Sequence, residues 1–269
     1  MSANIYKHEF HTRLRSVIVW SLSVAALILF FFSLFPVFSD QAAEMNRFLA
    51  KYPPQLSAAF GLNRMDLSTV LGFYGFILMF IQLCMAIQAG NYGFGLVSVE
   101  ENEMTADFLL SKPVSRVQIL TSKLLAALTS LLLTDVVVWV ASFTAILAFH
   151  GEHEYEIAPL LLLFLSLLIF QLFFLAVGLV ISLLVKRIRS VTPWGLGLAF
   201  GAYILNAFSG IFGDIKLEYI TPFKHLDPSY IIKNATYNIP LVVLNVAVTL
   251  VSLAVTYWLY TRRDIPAVS

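Results

Sequence analysis

Four carboxylates crowd into the stretch from Glu100 to Asp107: Glu100, Glu101, Glu103 and Asp107. Acids this dense either pair with basic groups of another molecule or simply keep a loop hydrated. At helical spacing they fall largely on one side, and Met104, Phe108 and Leu109 or Leu110 form an apolar ridge beside them. That combination suits a docking helix, whose apolar knob anchors by burial and whose acids pair with basic groups. Lys112-Pro113 signals its end, and Ser115 followed by Gln118 has the form of a capping box that opens another helix at Arg116.

Other reactive groups are sparser. His150, Glu152, His153, Glu154 and Glu156 are ligand types, yet they share one short loop with no second cluster to complete a metal shell. Their spacing is not His-Glu-x-x-His, so a solvated acidic turn is the reading. Asp135 is an ionisable group inside an apolar run, where charge is costly. Two readings stay open for it: a place on a translocation path or proton relay, or a buried acid paired to a neighbouring helix or lifted toward the headgroups. No Gly-x-Ser-x-Gly and no second intramembrane Asp accompany it, so intramembrane catalysis is not expected. The single Cys84 excludes an intramolecular disulfide and a multi-cysteine metal site.

The elements that carry these groups follow from composition. The chain has 269 residues, 59% hydrophobic and 12% charged, with a mean hydropathy of +0.83. Soluble domains hold about 25% charged residues. An all-α polytopic membrane protein of one domain results, with six spans at about 17–38, 67–89, 124–149, 158–185, 191–212 and 239–260. The first is too long for the apolar core of a cleaved signal and is read as a retained helix. Residues 1–16 place Lys7, Arg13 and Arg15 beside Ile5, Tyr6, Phe10 and Leu14, which reads as an amphipathic helix lying at the membrane interface. Residues 90–123 form a polar segment between the second and third spans. Residues 213–238 are too polar to span and too apolar for a free loop, so short interfacial helices are expected there. A net charge of +1 argues against nucleic acid as a partner.

Orientation follows from Lys and Arg placement. With the N-terminus inside, the cytoplasmic side holds eleven: Lys7, Arg13, Arg15, Lys112, Arg116, Lys123, Lys186, Arg187, Arg189, Arg262 and Arg263. The opposite side holds six: Arg47, Lys51, Arg64, Lys216, Lys224 and Lys233. Both termini and the 90–123 segment are therefore expected in the cytoplasm. Gly195, Gly197 and Gly201 give the fifth span a small-residue face, fit for close packing within the chain or for a dimer seam.

The run Glu101-Asn102-Glu103-Met104-Thr105-Ala106-Asp107-Phe108-Leu109-Leu110-Ser111-Lys112-Pro113-Val114-Ser115-Arg116, with Ile119-Leu120 and Lys123 after it, resembles the cytoplasmic signature of type-2 ABC exporter permeases. The six-helix layout extends the likeness over the whole chain. Weaker echoes are Tyr219-Ile220-Thr221-Pro222-Phe223-Lys224 and the Arg262-Arg263-Asp264-Ile265 tail. Met104 departs from the family's frequent Gly.

The resemblance implies a permease without its own ATP site. The glycines at 90, 93 and 95 are followed by acids, and no G-x-x-x-x-G-K-[ST] loop is present. ATP and Mg would be bound by a separate cytoplasmic ABC ATPase. Glu100, Glu101, Glu103, Thr105, Phe108, Leu109, Leu110, Pro113 and Arg116 would form the coupling helix that docks on it, braced by the N-terminal helix. A second permease copy or a paralogue would complete the assembly in a bacterial plasma membrane. Lipids, peptides, antibiotics and ions all remain open as cargo. The competing class is an ATP-independent secondary transporter or membrane assembly protein, although the two halves show no clear internal repeat.

Overall fold

The structure, a computed structural model, describes residues 2–41, 65–103, 114–185, 188–211 and 216–262. Its helices are α1 (Ala3–Phe32), α2 (Phe35–Asp40), α3 (Val70–Glu103), α4 (Arg116–Phe149), α5 (Ile157–Leu184), α6 (Thr192–Ile211), α7 (Pro222–His225), α8 (Pro228–Asn234) and α9 (Ile239–Arg262), with a 3-10 turn at Lys216–Tyr219. No strand occurs among the described residues. Among the described residues, five stretches are long and apolar enough to cross a membrane: Ala3–Asp40, Val70–Ser98, α4, α5 and α9. The stretch expected as the sixth span forms α6, a helix of 20 residues that reaches about 30 Å and is not among these five.

Two element boundaries differ from the sequence reading. The 1–16 stretch, expected at the interface and feeding the first span, is continuous with that span, because α1 runs unbroken from Ala3 to Phe32. Its break comes later, at Ser33 and Leu34, where Pro36 opens α2. Nor does the second span end at residue 89. α3 continues past it to Glu103, and Gly90, Tyr92, Gly93, Phe94, Leu96, Val97 and Ser98 are buried.

The reason lies in what glycine does between apolar helices. α3 and α5 form the centre of the bundle, with Tyr74, Ile77, Leu78, Ile81 and Met85 of α3 and Leu163, Leu167, Phe170, Phe174 and Leu179 of α5 all buried. α6 and α9 lie against this pair, and α1 packs along α4. A Cβ at Gly93 would stand 2.3 Å from the carbonyl oxygen of Leu175, so the α3 and α5 backbones meet there. On the α6 side, Gly90 and Gly195 touch, and a Cβ at Gly195 would lie 2.2 Å from Asn91 Oδ1. Small residues thus permit close helix contact, the usual arrangement where lipid offers apolar side chains no reason to leave it. Leu22 and Phe30 of α1, Val140 and Leu147 of α4, and Val243, Leu250 and Val251 of α9 face outward as an apolar belt.

The helices alternate, so one end of the bundle gathers the start of α1, the end of α3, the start of α4 and the end of α9. We call this the proximal end. At the distal end the described part of the 213–238 segment forms the 3-10 turn, α7 and α8, and turns Phe223, Leu226 and Ile231 into the bundle. Asp227 caps α8 by accepting from the Ser229 backbone N–H at 2.9 Å and pairs with Lys224 at 3.0 Å. Burial pulls against the Asp227 charge, but the Lys224 ammonium and the Ser229 bonds outweigh it and hold the carboxyl below its ordinary value.

His225 is buried beside them, its Nε2 3.3 Å from the Tyr219 carbonyl oxygen and its Nδ1 3.3 Å from Asn245 Nδ2. Burial lowers its pKa below the usual 6.5, against opposing backbone bonds from Tyr219 and Glu218. The unfolded chain therefore takes up a proton near pH 6.5 that the folded chain refuses, so this contribution is lost as pH falls through that value. Melting curves should show stability declining below pH 6.5 by up to about 1.4 kcal/mol per pH unit from this group, and His225→Gln should flatten that slope.

Candidate functional site

The acidic cluster and its capped successor sit at the proximal end. Glu100, Glu101 and Glu103 lie on the last turn of α3. Thr105, Asp107, Phe108, Leu109, Leu110 and Pro113 fall outside the described residues. The far flank is described again, and its capping box is present. Ser115 Oγ accepts from the Gln118 N–H at 3.3 Å, while Gln118 Oε1 accepts from the Ser115 N–H at 3.2 Å. α4 then runs from Arg116 into the bundle without interruption. Ser115→Ala should cost about 1 kcal/mol, read as a lowered melting temperature with the helical fold retained.

Arg116 turns toward its own chain. Its guanidinium donates to the carbonyl oxygens of Tyr260 and Thr261, at 3.4 and 3.5 Å, where α9 ends and leaves carbonyls without helical partners. One turn and a half further on, Thr121 Oγ1 and Tyr257 Oη are 2.9 Å apart, a second tie between α4 and α9. The start of α4 is thus fixed to the last helix of the chain.

On its other side the start of α4 holds α1. Ser2 N donates to Ser122 Oγ at 2.8 Å and Tyr6 Oη to Thr129 Oγ1 at 3.1 Å. Lys123, only 2% exposed, donates from Nζ to the Leu96 carbonyl oxygen of α3 at 2.6 Å and lies 3.5 Å from Glu9 Oε1 of α1. Glu9 also pairs with Arg13, one turn on. The Arg13 guanidinium sits 5.8 Å from the Tyr92 ring centroid, over the ring of α3. Tyr92 Oη in turn donates to Ser16 Oγ at 3.1 Å and receives Gln88 Nε2 at 3.4 Å, and Gln88 reaches Thr134 Oγ1 of α4 at 3.0 Å. A chain of polar contacts therefore runs from Lys123 and Glu9 into the bundle through three helices.

In the sequence Lys123 reads as one of the eleven cytoplasmic-side charges, and nothing there pairs it with Glu9. A signal for both existed. Glu9 is the only acid before Asp40, and Lys123 stands seven residues after Arg116, inside a helix already turning apolar.

Asp135 lies deeper, fully buried between α4 and α5. Gln171 Nε2 donates to its Oδ1 at 2.9 Å, while Asp135 Oδ2 and Gln171 Oε1 have no hydrogen-bond partner among the described residues. It is placed as a helix-to-helix polar contact in the protein interior. The three glycines of α6 part company: Gly195 packs inward on Asn91, but Gly197 and Gly201 face outward with none of the described residues within 4 Å of a Cβ. Trp194, Phe200, Ile204 and Phe208 share that exposed face.

His150 and His153 pack edge-on against rings, with Tyr155 at 5.7 Å and Phe35 at 5.4 Å between centroids. The loop turns at Gly151, whose φ is +60°. Among the described residues no three His, Cys, Asp or Glu come together as a metal shell.

The sequence model of the ABC-2 family transporter proteins matches residues 3–265. No curated protein and no solved structure matches the chain.

Proposed function

Because this chain belongs to the ABC-2 family of transporter proteins, we propose that it is the membrane-spanning permease subunit of an ATP-binding-cassette exporter. It is a multi-pass membrane protein, and the observation that carries the finer reading is the family match over residues 3–265 joined to the geometry of the proximal end. There an acid-bearing helix terminus and a capped helix start flank residues 104–113, and each flank is tied to other helices of the bundle. A soluble ATPase that grips this segment would have four helices to pull on. ATP binding moves a permease only if the two conformations differ in their contacts with the ATPase, and a segment clamped at both ends transmits such a difference.

In this reading the proximal end faces the cytoplasm, as the Lys and Arg distribution suggests, and α6 is the sixth span. ATP and Mg belong to the partner subunit. The outward face of α6 at Gly197 and Gly201 is the seam with a second permease, since open space beside both glycines lets another helix approach closely. Asp135 remains a candidate for the translocation path only if α4 and α5 separate during the cycle, because its carboxyl lies between them in this conformation.

The test is gentle detergent purification of the tagged chain from its native membrane, with mass spectrometry of the eluate and an ATPase assay. A stoichiometric soluble ATPase supports the reading. Its absence from a folded preparation would replace it with an ATP-independent transporter or membrane assembly protein.

A further inference from the structure

We propose that Lys123 is a positioning residue, holding α1, α3 and α4 at fixed spacing behind residues 104–113 so that a pull on that segment moves the three helices as one body. The proposal rests on the permease reading above.

The geometry is specific. Lys123 carries three N–H donors and no acceptor, so a buried position demands oxygen partners. Leu96 O of α3 at 2.6 Å and Glu9 Oε1 of α1 at 3.5 Å are two of them. One nitrogen therefore joins three helices. Its place along the chain matters as much as its contacts. Leu96 lies seven residues before Glu103, where the described part of α3 ends, and Lys123 lies seven residues after Arg116, where α4 begins. Seven helical residues rise about 10 Å, so the nitrogen stands at matching depth behind both anchors of the 104–113 segment.

Neighbouring charge favours the same arrangement. Arg13 reinforces Glu9 from within α1, and the Tyr92 ring of α3 faces the Arg13 guanidinium. Without the ammonium, α3 and α4 would keep their apolar contacts deeper in the bundle, while α1 would keep Ser2 and Tyr6 on α4 and Arg13 and Ser16 on Tyr92 but lose the ionic link through Glu9 that joins all three helices at one point.

The experiment uses the full complex with its co-purified ATPase. Lys123→Met is expected to retain the ATPase and to melt within a few degrees of wild type. It should lose at least fivefold of the ATP-dependent change in the permease's protease-cleavage pattern. Glu9→Gln, which removes the α1 side of the same link and leaves Lys123 on Leu96, should lose the response in the same direction while also melting near wild type. A Lys123→Met complex that keeps the full response overturns the proposal, as does one whose melting temperature falls in step with the response. A Glu9→Gln complex that keeps the full response overturns it as well. A wild-type preparation without any ATPase would instead remove the permease reading, and this role with it.

Discussion

Gly93→Leu should leave almost no folded permease. The Cβ alone would fall 2.3 Å from the Leu175 carbonyl oxygen and 3.0 Å from the Leu179 nitrogen, both backbone atoms of the central α5. Neither can rotate away, so α3 and α5 must separate. Overpacking a core ordinarily costs about 1–3 kcal/mol, and here the strain falls on the largest helix contact of the bundle, so about 3 kcal/mol or more is expected. That is a large part of the roughly 5–15 kcal/mol that holds a domain folded. Fluorescence-detected size-exclusion in mild detergent should show aggregate in place of the monodisperse peak. Gly201→Leu is the matched control, since none of the described residues lies within 4 Å of a Cβ there. It should fold normally and, if α6 forms the seam, shift the preparation toward the single subunit. A well-behaved Gly93→Leu peak would mean that the α3 and α5 backbones do not meet as described.

The same glycine explains part of what the sequence concealed. In water a Gly-rich, acid-bearing stretch breaks helices, and Gly90, Gly93 and Gly95 read from the sequence as the start of a polar segment outside the second span. Between apolar helices the absence of a side chain is a packing feature, and α3 runs through all three. Composition and hydropathy located the long helices well because backbone satisfaction in lipid leaves little alternative to a helix. The Ser115–Gln118 capping box was also legible, being a local pattern that needs only its own backbone. What escaped were contacts made at a distance along the chain: Glu9 with Lys123 is a pairing across 114 positions, and Arg116 caps a helix that ends 146 positions later. The resemblance places Arg116 with the partner-binding residues, and the fold adds that its guanidinium reaches Tyr260 and Thr261 of its own chain. Asp135 illustrates the remaining gap. Periodicity gave its depth, but only the fold supplies Gln171 as the group facing it.

Phe108→Asp combined with Leu109→Asp should abolish recovery of the ATPase while the permease still inserts and stays monodisperse. Both residues belong to the apolar ridge that the sequence places beside the acidic cluster, and the described core of α4 begins beyond them at Ile119 and Leu120. Central apolar anchors of an interface are worth about 2 kcal/mol or more each on truncation, and a buried carboxylate adds a desolvation cost. Two such losses, about 4 kcal/mol, weaken binding roughly a thousandfold. Charge reversal by Glu101→Lys with Glu103→Lys should act differently. Peripheral charges govern encounter and register more than residence, so the ATPase should remain recoverable at high salt while ATP hydrolysis no longer drives the permease. Co-purification assays across a salt series separate the two outcomes. If both double variants retain a fully coupled ATPase, the segment between α3 and α4 is not where the partner docks. The ties at Lys123 and Arg116 would then serve only to hold the bundle's proximal end together.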